Sequence, residues 1–316
     1  MKIAVLDSAT LGDGVDMSVL EQFGKTKIYD MTPPEKVEER ISEFDVVIIN
    51  KVRLDGNNLK NALNLKLICV FATGYDNVDI NYCRERGIAV CNVVGYSTHS
   101  VAQLTVTMAL TLVTRIGEFT RYVENGGYSA GGIQNYLEPV FHEIDKMTWG
   151  IIGFGNIGKQ VARVAEAMGC EVIINKRTPT DEYECVSVDE VCKRADIISV
   201  HTPLTGQTRN LINRERIALM KKTAVLINVA RGAVTDEEAI AEAILGRRIG
   251  GFAADVYSVE PFPKEHPFTK IMGFDNVCLT PHMGWGAYEA RVRCLNETVK
   301  NINAFIKGEK RNRVDL

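Results

Sequence analysis

The chain has 316 residues, room for about two domains, and its 46% hydrophobic and 24% charged residues are those of an ordinary globular protein. A net charge of −3 leaves no basic footprint for nucleic acid or for an anionic membrane surface. The eight cysteines include no CxxC pair, so buried free thiols in a reducing cytoplasm are expected, rather than disulfides or a metal site.

Lys2-Ile3-Ala4-Val5-Leu6 reads as a strand and not as a signal peptide. Residues 1–98 continue as a small α/β unit, with strands expected at 3–6, 27–29, 46–49, 67–71 and 88–91 and helices around 35–42, 57–63 and 79–86. Such alternation implies a parallel sheet covered on both faces, with ligands beyond the strand ends. Two loops lie there, Asn50-Lys51-Val52-Arg53 and Ala72-Thr73-Gly74-Tyr75-Asp76-Asn77. Gly74 suits either a close backbone approach to a ligand or a plain turn.

Ser97-Thr98-His99-Ser100 supplies a helix cap ahead of an apolar helix expected over 101–119. Its uncharged part, 101–114, is too short to cross a bilayer, so no membrane partner is expected. Leu104, Val106, Met108, Leu110, Leu112, Val113 and Ile116 leave it almost no polar face, which predicts burial all round and contact with a partner subunit. Residues 126–145, with their glycine pairs and Pro139, read as an extended arm.

From Met147 to Arg177 the chain spells strand, glycine turn, helix, strand, the pattern of a dinucleotide-binding unit. In Gly153-Phe154-Gly155-Asn156-Ile157-Gly158, Gly153 permits the tight turn and Gly155 the approach of a pyrophosphate. Gly158 permits close contact of helix and strand. The second strand ends in Asn175-Lys176-Arg177-Thr178, without the carboxylate that usually binds a ribose hydroxyl. Two cations and a hydroxyl suit a 2′-phosphate, which favours NADP(H) and leaves NAD(H) possible.

Further strands are expected at 196–200, 224–228, 249–254 and 277–279, and helices at 187–194, 213–220 and 235–245, the last with a capping box from Thr235. A final helix over 288–307 is expected to return to the first unit. Three strand-end loops carry reactive types: Arg231 after an apolar strand, Asp255 to Glu260 after the next, and His282 in Thr280-Pro281-His282-Met283-Gly284-Trp285. An arginine in that position can hold a carboxylate through two hydrogen bonds, or simply lie at the surface. His201 also follows a strand, and spacing alone does not choose between it and His282.

The glycine turn, Ile227-Asn228-Val229-Ala230-Arg231-Gly232, the Asp255–Pro261 segment and the His282 loop, in this order and spacing, resemble the D-isomer-specific 2-hydroxyacid dehydrogenases. Residues 71–80, 86–103 and 282–291 look most like the glycerate dehydrogenase, or hydroxypyruvate reductase, branch. The resemblance implies two doubly wound α/β domains with a cleft between them. A flavodoxin-like substrate domain would comprise 1–98 plus 289–316, and a Rossmann-type cofactor domain 99–288. It implies a catalytic set of Arg231, Glu260 and His282. The substrate would meet Arg231, Thr73 and Gly74, with Val52 and Trp285 shaping the pocket. On the cofactor side it implies His201, Pro203, Thr208, Val229, Ala230 and Asp255, the last at the nicotinamide carboxamide. A homodimer is implied as well.

The expected chemistry is hydride transfer from NAD(P)H to a small 2-keto acid, hydroxypyruvate or glyoxylate, to give a D-2-hydroxy acid. His282 would donate the proton, Glu260 would hold its tautomer, and Arg231 would polarise the carbonyl. The alternatives are a reductase of bulkier 2-keto acids, with Arg53 and Tyr75 also lining the pocket, and a nicotinamide-sensing corepressor on the same fold.

Overall fold

The computed structural model describes residues 1–316, which separate into two compact units, Met1–Ser97 with Trp285–Leu316, and Thr98–Gly284. These units divide after Ser97 and after Gly284, within a few residues of the expected divisions after 98 and 288.

The first unit holds β1 (Lys2–Val5), β2 (Lys25–Ile28), β3 (Val46–Ile49), β4 (Leu67–Val70) and β5 (Ala89–Cys91), with α1 (Val37–Ile41), α2 (Gly56–Leu59) and α3 (Ile80–Glu85) between strands. All strands pair parallel in the order β2-β1-β3-β4-β5, the flavodoxin-like order. β3 and β4 are wholly buried because helices cover both faces, and their unbroken apolar runs reflect this. The expected 35–42 helix divides into a 3₁₀ turn, Pro34–Lys36, and α1.

The second unit opens with α4 (Thr98–Thr114), α5 (Ile116–Glu124) and α6 (Gly127–Ala130). Its sheet comprises β6 (Thr148–Ile152), β7 (Glu171–Asn175), β8 (Glu184–Cys185), β9 (Ile197–Val200), β10 (Val225–Asn228), β11 (Gly251–Ala254) and β12 (Val277–Leu279). They run parallel in the order β12-β11-β10-β9-β6-β7-β8, so the winding reverses between β6 and β9. Ligands of such sheets sit beyond the strand ends at that reversal. The covering helices are α7 (Asn156–Ala167), α8 (Val188–Arg194), α9 (Arg214–Leu219) and α10 (Glu237–Leu245). The last helix, α11 (Tyr288–Ile306), belongs to the first unit, where Ala290, Cys294 and Ile302 enter its core.

Three expectations are corrected. The 101–119 helix is broken at Arg115, whose left-handed φ of 54° turns the chain by 65° between α4 and α5. The sequence shows no proline there, only Gly117 two residues beyond the break. Thr107, Thr111 and Thr114 instead donate their hydroxyls to carbonyls four residues back, a habit that bends helices, and Arg115 pairs with Glu118 across the new turn. Nor is α4 buried all round: Gln103 and Thr107 are exposed, and Leu104, Val106, Leu110 and Val113 only half-buried. The cap of α10 is Asp236, accepting from Ala239 N at 3.0 Å, whereas Thr235 is buried and bonds Gly232. No single helix is long and apolar enough to cross a membrane.

Candidate active site

At the end of β6, Gly153 adopts φ 96°, and a side chain there would strike the backbone of Thr202 at 2.6 Å. A Cβ on Gly158 would meet the Gly153 carbonyl at 2.4 Å, so α7 sits directly on the turn. In front of Gly155 nothing lies within 4 Å, and no side chain caps α7. The N–H groups of its first turn are therefore left for an anion, and the cradle fits a pyrophosphate. Asn156 and Ile157 form that first turn.

Phe154 is buried at the turn, with the Lys159 and Lys176 ammonium groups 5.4 and 5.9 Å from its ring. Lys176 is half-buried, while Arg177 and Thr178 are exposed. Lys159 also pairs with Glu182 at 2.6 Å, a carboxylate near this corner that the strand-end reading passes over.

His201, after β9, is tied at Nε2 to Ser199 Oγ (2.9 Å), which accepts the Trp149 indole N–H at 3.0 Å. Burial pushes this imidazole down to about 3, so it stays neutral near pH 7 and is poorly suited to deliver a proton. The Thr208 hydroxyl closes its own loop by donating to the Pro203 carbonyl. Val229 and Ala230 are buried beyond β10, where Asn228 Oδ1 accepts from Ala230 N.

Arg231, Glu260 and His282 stand just past the carboxyl ends of the neighbouring strands β10, β11 and β12. His282 Nδ1 lies 2.5 Å from Glu260 Oε2, and Glu260 Oε1 accepts from Tyr257 N at 2.9 Å. Their side chains are about a quarter exposed, 25% for the imidazole and 30% for the carboxylate. His282 has φ 53°, a left-handed conformation that costs a side-chain-bearing residue about 1–2 kcal/mol. What offsets it is Asp255, whose Oδ1 accepts from Thr280 Oγ1 (2.6 Å) and Met283 N (2.8 Å) and whose Oδ2 accepts from Gly284 N (2.8 Å). Burial pushes the Asp255 carboxyl above its usual range despite these donors.

In the first unit Asp7 does similar work. It accepts from the N–H groups of Asn50, Lys51 and Val52 at 2.6–3.1 Å and so shapes the loop that carries Val52, whose side chain packs on the core. Desolvation raises its carboxyl, the three donors pulling the other way. The Thr73 hydroxyl is spent on Val93 O and its carbonyl on Asn92 Nδ2; Thr73 is exposed and Gly74 half-buried at the surface of that loop. Trp285 is half-buried against the core of this unit. Sequence reasoning missed the loop-holding roles of Asp7 and Asp255. The available signal was an aspartate placed directly after an apolar strand.

Residues 106–284 match the model of the D-isomer specific 2-hydroxyacid dehydrogenase NAD binding domain. The chain is similar along its full length to the hydroxypyruvate reductase of Blautia hydrogenotrophica, 32% identical with all of both chains covered. Among solved structures, it superposes on D-lactate dehydrogenase from Aquifex aeolicus complexed with NAD and lactic acid. The TM-score is 0.84 at 30% identity, covering 100% of this chain and 99% of that one. An acyclic imino acid reductase in complex with NADPH and D-Arg gives 0.87 at 28% identity, covering 99% and 100%. The chain therefore belongs to the D-isomer-specific 2-hydroxyacid dehydrogenase family, as its strand-end motifs imply.

Proposed function

We propose that this enzyme reduces a small 2-keto acid, hydroxypyruvate or glyoxylate, to the D-2-hydroxy acid with NADPH. The observation that carries this reading is the 2.5 Å contact of His282 Nδ1 with Glu260 Oε2 at the edge of the cofactor sheet. With Nδ1–H given to the carboxylate, Nε2 is the nitrogen left to exchange a proton with substrate. Bound nicotinamide supplies the hydride for the carbonyl carbon. His282 delivers the proton to the carbonyl oxygen, and Glu260 stabilises the imidazolium form. Arg231 neutralises the substrate carboxylate and polarises the carbonyl. The Thr73–Gly74 backbone, Val52 and Trp285 bound the substrate. The small-substrate reading is supported by the relative named hydroxypyruvate reductase.

For the cofactor, the support is Lys176, drawn over Phe154 at the glycine turn, where no strand-end carboxylate opposes a 2′-phosphate. Pro203, Thr208, Val229 and Ala230 complete the cofactor side. All eight cysteines are free thiols, which suits a reducing cytoplasm. A homodimer is supported by the apolar surface of the arm, where Ile133, Leu137 and Val140 are 65, 72 and 63% exposed. Sedimentation of a stable 35.0 kDa monomer at micromolar concentration would overturn that assembly. A panel of 2-keto acids assayed with NADPH and NADH tests the function. Hydroxypyruvate or glyoxylate with NADPH should give the highest kcat/KM, and a branched or aromatic keto acid in first place would overturn the reading.

A further inference from the structure

The loop that presents Glu260 rests on a cluster that the reaction does not touch. Glu237 opens α10, one short turn beyond Arg231, and its side chain is only 10% exposed. Its Oε1 accepts from Ser258 N at 2.8 Å, and its Oε2 accepts both the Ser258 hydroxyl and a contact from His266 Nε2 at 3.0 Å. His266 is 4% exposed at the side chain and takes the Phe268 N–H on Nδ1 at 3.2 Å. A neutral imidazole that accepts at Nδ1 carries its proton at Nε2, so His266 faces Glu237 as a donor. The ring stacks on Phe262 at 4.7 Å and meets Tyr257 and Phe268 edge-on, which leaves it little freedom to turn.

Three further contacts connect this cluster to the chemistry. Tyr257 N holds one oxygen of Glu260 while His282 contacts the other. The next peptide along, between Tyr257 and Ser258, is the one that Glu237 holds, so anchoring Ser258 fixes the Tyr257 backbone that meets the carboxylate. Gly232, next to Arg231, touches the same peptide: a Cβ there would fall 1.9 Å from Tyr257 C. Tyr257 also donates its hydroxyl to the Thr280 carbonyl at 2.8 Å, at the root of the His282 loop. Tyr257 thus touches all three strand-end loops, through its N–H, its hydroxyl and its peptide bond to Ser258, and Glu237, itself met by His266, holds that peptide bond. A buried carboxylate–histidine pair is a poor device for stability alone, since apolar residues of equal volume serve as well or better. What it supplies is a fixed geometry.

We propose that Glu237 and His266 are positioning residues for the reaction, holding the Tyr257–Ser258 peptide so that the Glu260 carboxylate stays on His282 Nδ1. The proposal rests on the function stated above, in which that pair delivers the proton. The test compares Glu237→Gln, Glu260→Gln and the double variant, using the best substrate of the 2-keto acid panel and active sites counted by NADPH titration. Glu237→Gln should lower kcat per active site by about 10- to 100-fold, the scale of a displacement near 1 Å, with KM and cofactor affinity within about twofold. Added to Glu260→Gln, it should change kcat by less than about threefold, because both act on one contact. Should Glu237→Gln fold poorly, Ser258→Ala removes one link on an exposed loop, with a loss in kcat of about threefold to tenfold expected. Returning the hydroxyl as Ser258→Thr should restore most of it. Unchanged kcat per active site in both Glu237→Gln and Ser258→Ala, with only thermal stability lowered, would overturn the positioning role alone. Fully additive losses in the double variant would do the same. Wild-type turnover in Glu260→Gln would overturn the function reading, and the positioning role with it.

Discussion

Replacing Asp255 with Asn separates two roles that one carboxylate can serve, the nicotinamide contact implied by family resemblance and the support of the His282 loop. An amide retains one acceptor. Its favourable orientation keeps that oxygen on Thr280 Oγ1 and Met283 N and sets an NH2 against the Gly284 N–H, in a buried residue. A buried N–H left without an acceptor costs about 1–3 kcal/mol, and the bonds that remain lose their charge assistance. His282 meanwhile keeps its left-handed backbone, φ 53°, with weaker anchors on its C-terminal side. A loss of about 1.4–3 kcal/mol in transition-state stabilisation is then expected, roughly 10- to 100-fold in kcat/KM. Steady-state kinetics, NADPH fluorescence titration and urea denaturation together read the outcome. Lower kcat, a lower urea midpoint and cofactor affinity within about twofold support the loop-holding role. Unchanged kcat and urea midpoint with weakened NADPH binding would refute it and return Asp255 to the nicotinamide.

Arg231→Lys should raise KM for keto acids and lower kcat, together about 10- to 100-fold, because a lysine keeps the charge but not the planar fork. Unaltered keto-acid affinity would move the carboxylate site elsewhere. Lys176→Asp should shift the cofactor preference towards NADH by about tenfold or more, as a ribose acceptor and a repulsive charge arrive together. Better efficiency with NADH in the unmodified enzyme would refute the phosphate-binding role. Asp315 is a test of pH dependence. Burial alone would raise its carboxyl, but the Arg313 guanidinium and the Val90 N–H outweigh burial and hold it below its usual 3.8. A depressed folded pKa means a contribution fully present above 3.8 and lost as pH falls through the lower folded value. Asp315→Asn should therefore be less stable than wild type at pH 7, with the gap closing in acid. A gap that stays constant down to acid pH would refute the coupling.

Much of this was legible in the sequence because the signals are local. The strands of both sheets are short apolar runs, and the glycine turn shows the steric limits its spacing implies: Gly153 against Thr202, Gly158 against the Gly153 carbonyl. Arg231 and the loops of Glu260 and His282 stand out because they follow apolar strands, but the choice of these three as a set comes from the family resemblance and not from spacing. What stayed hidden depends on contacts between distant residues. Only Gly117 hints at a helix break near Arg115, and a lone glycine inside a helical pattern is a weak signal. The hydroxyl bonds that accompany the break are made by threonines that helices tolerate elsewhere. Glu237 read as part of a capping box, because a carboxylate in a first helical turn usually is one. Its partners, Ser258 and His266, lie 21 and 29 residues away. Spacing left His201 and His282 alike; their surroundings differ through Ser199 and the distant Trp149 around the one and Glu260 at the other.

The central claim is that His282 is the proton donor, held in its tautomer by Glu260. It is tested most directly by single-turnover reduction of the preferred 2-keto acid by pre-bound NADPH in His282→Gln. The account predicts a rate of NADPH oxidation lowered about 10²–10⁴-fold, the usual worth of a general acid, with NADPH bound as tightly as in the unmodified enzyme. A single-turnover rate close to that of the unmodified enzyme would contradict it.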